Sequence, residues 1–242
     1  MTHFNIAYEG KAKQLILIDG DRDHYVQRFK DDATAFNGEK SAKFEGKGVL
    51  NCAISSFIFE KLEAAGIPTH YLEQQNPIDM LVRKLEIIPL EVVVRNIVAG
   101  NLSRRTGLAQ GDPIEPPIVE TYYKNDALGD PLFADTHIAM LGLVDAANLV
   151  RIKETALRVN TVLRPLFADA GIELADFKIE FGIDAAGQAI LGDEISPDTC
   201  RLWDMQTGES FDKDVFRYDK GDLIQAYKEI ARRLDLSIAS GN

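Results

Sequence analysis

Cysteine is almost absent: Cys52 and Cys200 are the only two in 242 residues, and their spacing matches no metal-ligand pattern. That excludes a disulfide framework and fits a reducing, cytoplasmic compartment. Histidine is equally sparse, four in all with no paired spacing, so no zinc site is suggested. No apolar run reaches the roughly 18 residues that a membrane-crossing helix needs. The start, Met1-Thr2-His3-Phe4-Asn5, lacks the basic-then-apolar layout of a secretion signal. Positive charge is also short, 27 Lys and Arg against 38 Asp and Glu, for a net charge of −11. This balance argues against non-specific binding to nucleic acid or anionic membranes. An anionic ligand must instead be drawn in by local basic clusters, and Lys11/Lys13, Arg83/Lys84, Arg95, Arg104/Arg105 and Arg201 are the candidates.

What is present reads as one large domain or two lobes. Gln14–Ile18 and Tyr25–Phe29 predict antiparallel strands around the turn Asp19-Gly20-Asp21. Residues 31–48 are polar, without apolar periodicity, and are expected to form a mobile loop over a site. Val49, Leu50, Ala53, Ile54, Phe57, Ile58 and Leu62 recur at helical spacing, with Gly66 and Pro68 as a stop. Strands are expected at 80–82 and 90–95, and a loop-rich stretch at 99–135. A long amphipathic helix should follow Asp145, kinked or shortened by Pro165. Leu223, Ile224, Tyr227, Ile230 and Leu234 mark a last helix, and 237–242 a frayed tail. Strands come first and mixed segments follow, without regular βαβ alternation. The expected class is therefore α+β with mostly antiparallel sheets, a β-rich lobe over 1–85, a larger lobe over 86–242, and ligands between them.

The densest chemistry lies in Asp176-Phe177-Lys178-Ile179-Glu180-Phe181-Gly182 and Leu191-Gly192-Asp193-Glu194-Ile195-Ser196-Pro197-Asp198. A four-residue loop at 184–187 would pair 183 with 188, 180 with 191 and 178 with 193. Lys178, Glu180 and Asp193 would then share one face, and Phe177, Ile179, Phe181 and Ile190 the other. Either a Mg²⁺–phosphate site or a surface salt-bridge ladder fits that pattern. In Tyr8-Glu9-Gly10-Lys11-Ala12-Lys13, small residues would let a backbone approach a polyphosphate, with two lysines on one side; a plain basic β-turn fits as well. Arg95, near the end of an apolar strand, must be paired there, by a phosphate, a ligand carboxylate or a structural acid such as Glu91. Arg201 adds a second arginine beside Asp198 and Asp204. Cys200 reads as a buried thiol, since no histidine stands in a supporting motif.

The motifs YEGKAK (8–13), IIPLEVVVRNIVAG (87–100), DFKIEFG (176–182) and LGDEISPDTCRLWD (191–204) occur in that order. Together they closely resemble the SAICAR synthetase family of purine biosynthesis, and the likeness runs from about Tyr8 to Leu234. Asn101 departs from the family pattern, which places serine there. The resemblance implies a two-lobed, distantly kinase-like α+β fold with ATP in the cleft. It implies ATP-dependent joining of L-aspartate to the carboxylate of carboxyaminoimidazole ribonucleotide (CAIR), giving SAICAR, ADP and phosphate through an acyl phosphate.

It also implies roles, position by position. Lys11, Ala12 and Lys13 would hold the ATP phosphates, and Met80, Leu81, Val82 and Lys84 would connect the lobes beside adenine. Glu180 and Asp193 would bind Mg²⁺ as well as the nucleotide, and Lys178 would contact the transferring phosphoryl group or the substrate carboxylate. Arg95, Asn101 and Arg201 would take the ribonucleotide phosphate, with Asp176 and Asp198 near its imidazole and ribose. Lys124, Asp130 and Arg217 would face the aspartate. A cytoplasmic homo-oligomer, a dimer favoured, is expected, with small molecules as its only other partners. Two rivals use the same residues: a small-molecule kinase, and a nucleotide-binding regulator without turnover.

Overall fold

A computed structural model describes residues 5–238. The expectations for residues 1–4 and for the tail beyond 238 lie outside the described residues. The chain opens with β1 (Ile6–Glu9), β2 (Lys13–Leu17) and β3 (His24–Phe29), then a small hairpin of β4 (Asp32–Ala35) and β5 (Lys40–Lys43). The helix α1 (Lys47–Ala64) and the strands β6 (Tyr71–Asn76), β7 (Asp79–Arg83) and β8 (Glu86–Ile97) follow. Next come α2 (Asn101–Thr106), β9 (Pro113–Tyr123), β10 (Leu132–Phe133), α3 (Asp135–Leu141) and α4 (Ala146–Asp169). The last third holds β11 (Ile172–Ile183), β12 (Ala189–Gly192), β13 (Cys200–Asp204), α5 (Asp214–Arg217) and α6 (Leu223–Arg233).

The strands build a five-stranded sheet, β1-β2-β3-β7-β6, and a six-stranded sheet, β10-β9-β8-β11-β12, with β13 also paired to β11. All of these ladders are antiparallel, so the class is α+β. Among the described residues one parallel bridge, Thr69 to Leu191, links the segment just before β6 to β12, and the His70 amide donates to the Leu191 carbonyl at 2.8 Å. One buried cluster runs through both sheets, from Ile54 and Met80 to Phe177 and Leu191.

Helix α4 follows from its pattern. Leu149, Ile152, Ala156, Val159 and Leu163 recur every three or four residues and are buried against β11 and β8. Asp145 caps it, accepting from the Asn148 amide at 2.9 Å. The helix runs four residues past Pro165, so the proline does not end it. Phe177, Ile179 and Phe181 alternate onto the face of β11 that joins this core. Burying each such side chain contributes about 1.5–3 kcal/mol.

Three expectations are corrected. Residues 31–48 are not one irregular loop. Ala33 and Ala35 alternate inward along β4, which pairs with β5, and α1 begins at Lys47. The stretch 99–135 carries α2, the eleven-residue β9 and the start of α3. The central hairpin is shifted by one residue: Ile183 pairs with Ala189 and Glu180 with Gly192. Its loop is five residues long, closed by the Asp184 amide on the Gln188 carbonyl at 3.0 Å. Leu191, not Ile190, therefore packs with Phe181 in the core.

Candidate active site

Between the two sheets lies a cavity of about 1160 Å³, its third side closed by the β4–β5 hairpin at Thr34, Ala35, Phe36 and Gly38. One end is apolar, lined by Leu15, Tyr25, Val82, Leu85 and Ile87. The other carries Lys11, Lys13, Lys178, Glu180, Asp193 and Glu194. An apolar slot that opens onto paired charges suits a ligand with a flat base and a polyanionic tail.

The charged floor is built by β11. Asp176, Lys178 and Glu180 share one face because their phenylalanine and isoleucine neighbours take the other. Lys178 donates to Glu91 at 2.6 Å and lies 3.5 Å from Glu180. The second Glu180 oxygen accepts from Lys124 at 2.6 Å. Burial opposes charge on Glu180, but Lys178, Lys124 and Lys13 outweigh it and hold its pKa at about 2. Asp193 reaches the same place in spite of the shifted register. It follows β12 with φ of 64°, a left-handed turn that brings its carboxylate to Lys13 of β2. Lys13 also pairs with Glu194 at 2.7 Å, so one lysine of the first sheet clasps two acids beyond β12.

The remaining expected residues divide into groups. The β1–β2 turn closes through the Gly10 amide on the Lys13 carbonyl at 2.9 Å and holds Lys11 and Ala12 at the cavity edge. Of 80–84, Val82 lines the cavity, whereas Met80 is sealed in the core and the Lys84 ammonium lies 5.5 Å over the Tyr25 ring. Arg83 and Leu85 line the cavity beside Val82, and Leu81 pairs across to Val26. Lys124, Asp130 and Arg217 all lie on the cavity wall.

Arg95, Asp176 and Arg201 come together, although 106 residues of sequence separate the two arginines (201 − 95). Asp176 stands between them in register, paired across to Arg95 on β8 and to Arg201 on β13. Its carboxylate accepts from Arg95 at 2.6 Å and from Arg201 at 2.9 Å. Glu120 and Tyr122 complete the shell of Arg95, and Asp214 that of Arg201. The Arg201 fork lies against Gly100, where an added Cβ would come within 2.7 Å of its Nη2. Asn101 is exposed at the start of α2, its amide oxygen facing Arg104.

Asp198 sits at the cavity edge with both oxygens taken. Lys47 donates to one at 2.5 Å together with Asn51 at 3.1 Å, and Tyr227 donates to the other at 2.6 Å. Lys47, Asn51 and Tyr227 were not anticipated from sequence. Neither was Glu194, which the adjacent acids of LGDE do signal, nor Lys213.

Both thiols are buried, and burial pushes Cys52 up to about 12 and Cys200 higher still. Iodoacetamide should therefore label native protein only as fast as it unfolds, without loss of activity before that. Rapid stoichiometric labelling that stops turnover would instead make one of the thiols a reactive group of the site.

Comparisons agree with this geometry. The family profile described as SAICAR synthetase matches residues 6–234. A phosphoribosylaminoimidazole-succinocarboxamide synthase of Exiguobacterium sibiricum is 55% identical over 227 residues, 94% of this chain and 96% of that one. A solved SAICAR synthetase in complex with ADP superposes with a TM-score of 0.92 at 52% identity, covering 95% of this chain and 97% of the other. The Ehrlichia chaffeensis synthase structure gives 0.93 at 45% identity, covering 96% and 99%.

Proposed function

The chain belongs to the SAICAR synthetase family, and from that premise we propose how its residues divide the work. The enzyme is an ATP-dependent ligase of purine biosynthesis that joins L-aspartate to the CAIR carboxylate, giving SAICAR, ADP and phosphate. A carboxylate is a poor acyl donor because its leaving group would be oxide. The carboxylate oxygen therefore attacks the γ-phosphorus, the bond to ADP breaks, and an acyl phosphate forms. The aspartate amine then attacks the acyl carbon, loses a proton, and expels phosphate. Both steps need positioning and charge neutralisation more than a side-chain nucleophile.

The observation that carries this reading is the continuous charged face of β11. Glu180 and Lys178 line the cavity, and Asp176, with its two arginines, lies farther along the same face, outside the cavity lining. The apolar slot takes adenine beside Val82, and Lys11, Ala12 and Lys13 take the phosphates. Arg95, Arg201 and Asn101 hold the ribonucleotide phosphate, Asp176 lies along the ribose and imidazole, and Lys124, Asp130 and Arg217 face aspartate. Lys178 neutralises charge on the transferring group. Asp198 serves indirectly, by fixing the loop it belongs to.

Magnesium fits the donors present. Glu180 and Asp193 offer hard oxygens on the cavity wall. Among the described residues no group of three metal-ligating side chains occurs, which suits an ion that completes its shell with phosphate oxygens and water. Bound there, it supplies charge neutralisation to the phosphates.

The five-stranded sheet serves as the ATP-binding lobe, 1–85, and the six-stranded sheet as the lobe for metal and ribonucleotide, 86–242. Two free, buried cysteines suit the cytoplasm. A homodimer, carried over from the resemblance, is checked by sedimentation.

Two measurements test the chemistry. ADP release should require CAIR and aspartate together, which neither a kinase nor a regulator would show. With ¹⁸O in the CAIR carboxylate, one label should appear in the released phosphate; unlabelled phosphate would sink the acyl-phosphate route. Gly100→Ala tests the phosphate end. At φ of 56° and with Arg201 so close, an added methyl displaces the guanidinium, so the KM for CAIR should rise about tenfold or more while that for ATP holds. An equal rise in both would assign Gly100 a general structural role.

A further inference from the structure

The cations that line the cavity are nearly all engaged with acids. Lys13 holds Asp193 and Glu194, Lys124 and Lys178 hold Glu180 and Glu91, and Lys30 holds Glu9. Lys213 differs. Among the described residues, no hydrogen bond or ion pair reaches its ammonium, although it lines the cavity. The acid that acts most strongly on it is Asp198, whose oxygens are committed to Lys47, Asn51 and Tyr227. Burial holds the Lys213 pKa below its ordinary value; Asp198 resists, and the charges of Lys47 and Arg217 push the same way as burial. A partly desolvated cation with its natural counter-charge already spent gains most from an incoming anion.

Its surroundings are firmly held. The Lys213 amide donates to the Pro197 carbonyl at 3.1 Å, and Lys213 stands at the residue just before α5. Lys40 of β5 donates to the Phe216 carbonyl at 2.7 Å and pairs with Asp219 at 2.7 Å. The hairpin and α5 are thereby tied together as two walls of one subsite, with Thr34 and Phe36 on one side and Lys213 and Arg217 on the other.

We propose that Lys213 receives a substrate carboxylate in this subsite between the β4–β5 hairpin and α5. The proposal rests on the ligase reading above. Phosphates already have hosts in that reading, at the Lys11–Lys13 turn and at the Arg95–Arg201 pair, whereas the cations it sets toward aspartate, Lys124 and Arg217, are each already paired, with Glu180 and Asp214. Two reactants carry the chemistry required: CAIR, through its imidazole carboxylate, and aspartate. A compact ammonium on a flexible stem suits either as a single-point anchor.

The test is steady-state kinetics on Lys213→Met and Lys213→Arg, with ATP, CAIR and aspartate varied in turn. Lys213→Met should raise the KM of one carboxylate substrate about ten- to a hundredfold, the loss of one hydrogen bond to a charged group. The KM of ATP should stay put, and Lys213→Arg should restore most of the loss. A rise for aspartate alone identifies aspartate as the ligand. A rise for CAIR alone identifies the imidazole carboxylate, provided the ribonucleotide lacking that carboxylate binds wild type and variant alike. Equal rises in all three constants would overturn the proposal. So would a fall in kcat that arginine cannot rescue, with every KM intact, because that pattern marks proton transfer. Lys213→Gln replaces the methionine variant if the latter melts early. Wild-type protein that makes no ADP from all three substrates would instead defeat the ligase reading, which separates the two failures.

Discussion

Glu180→Gln should lower kcat by roughly three orders of magnitude, and Asp193→Asn by a similar factor, with the fold retained in both. The scale is that of removing one electrostatic stabiliser from a transition state, about 10²–10³. Glu180 is buried, ionised and flanked by Lys124 and Lys178, and Lys13, whose charge also acts on it, pairs with Asp193. A neutral amide cannot hold a divalent ion against phosphate oxygens. If the two carboxylates share one ion, the double variant should be little worse than either single one. Turnover at the wild-type rate in either variant at saturating Mg²⁺ would remove the β11–β12 hairpin from the chemistry. Acid sensitivity follows with a definite sign. The folded pKa of Glu180, about 2, lies below its ordinary 4.5, so the stability its charge contributes is complete above about pH 4.5 and is lost as pH falls toward 2.

Asp198→Asn should produce the largest loss of stability. Lys47 is fully buried, and its ammonium reaches only Asp198 among the described residues. Breaking a buried pair by removing one partner costs about 3–5 kcal/mol. For a chain of this length that lowers Tm by very roughly 6–20 °C. Asparagine also puts a donor in place of one oxygen, facing either Lys47 and Asn51 or Tyr227, each of which donates there. Calorimetric melting with and without ADP separates stability from binding. A variant that melts within a degree of wild type would show that Lys47 is compensated some other way.

Periodicity made α4 and α6 legible, because each buries residues at three- and four-residue intervals, and in α1 the apolar set Leu50, Ile54, Ile58 and Leu62 recurs every four although the helix is buried on most sides. The motif-bearing strand β11 was legible for the same kind of reason: its apolar positions alternate with Asp176, Lys178 and Glu180. The register of its hairpin was not. The Asp184 side chain accepts from the amides of Ala186 and Gln188, both at 2.9 Å, which favours a five-residue loop over four. Strand β9 was hidden by Pro116 and Pro117. They sit where the ladder with β8 is interrupted between Ile118 and Pro113, while β10 pairs only at 121–122. The hairpin at 32–43 buries only alanines on its inner side, too little apolar surface to mark a strand. The partners of Asp198 could not be read at all, since Lys47 is 151 residues away and the contact exists only once the chain has closed.

That contact bears on how the chain comes off the ribosome. Helix α1 packs against α6, and Lys47 meets its counter-charge only beside Tyr227. The first third of the polypeptide therefore cannot finish its own interior while it is being made. It must wait, with α1 incompletely covered, until α6 has emerged. Completion of the interior depends on contacts between segments far apart in sequence, which close slowly and leave apolar surface open to neighbours meanwhile. Loss of the final helix should thus be felt at the beginning of the chain, as aggregation of nascent product rather than as a local fraying.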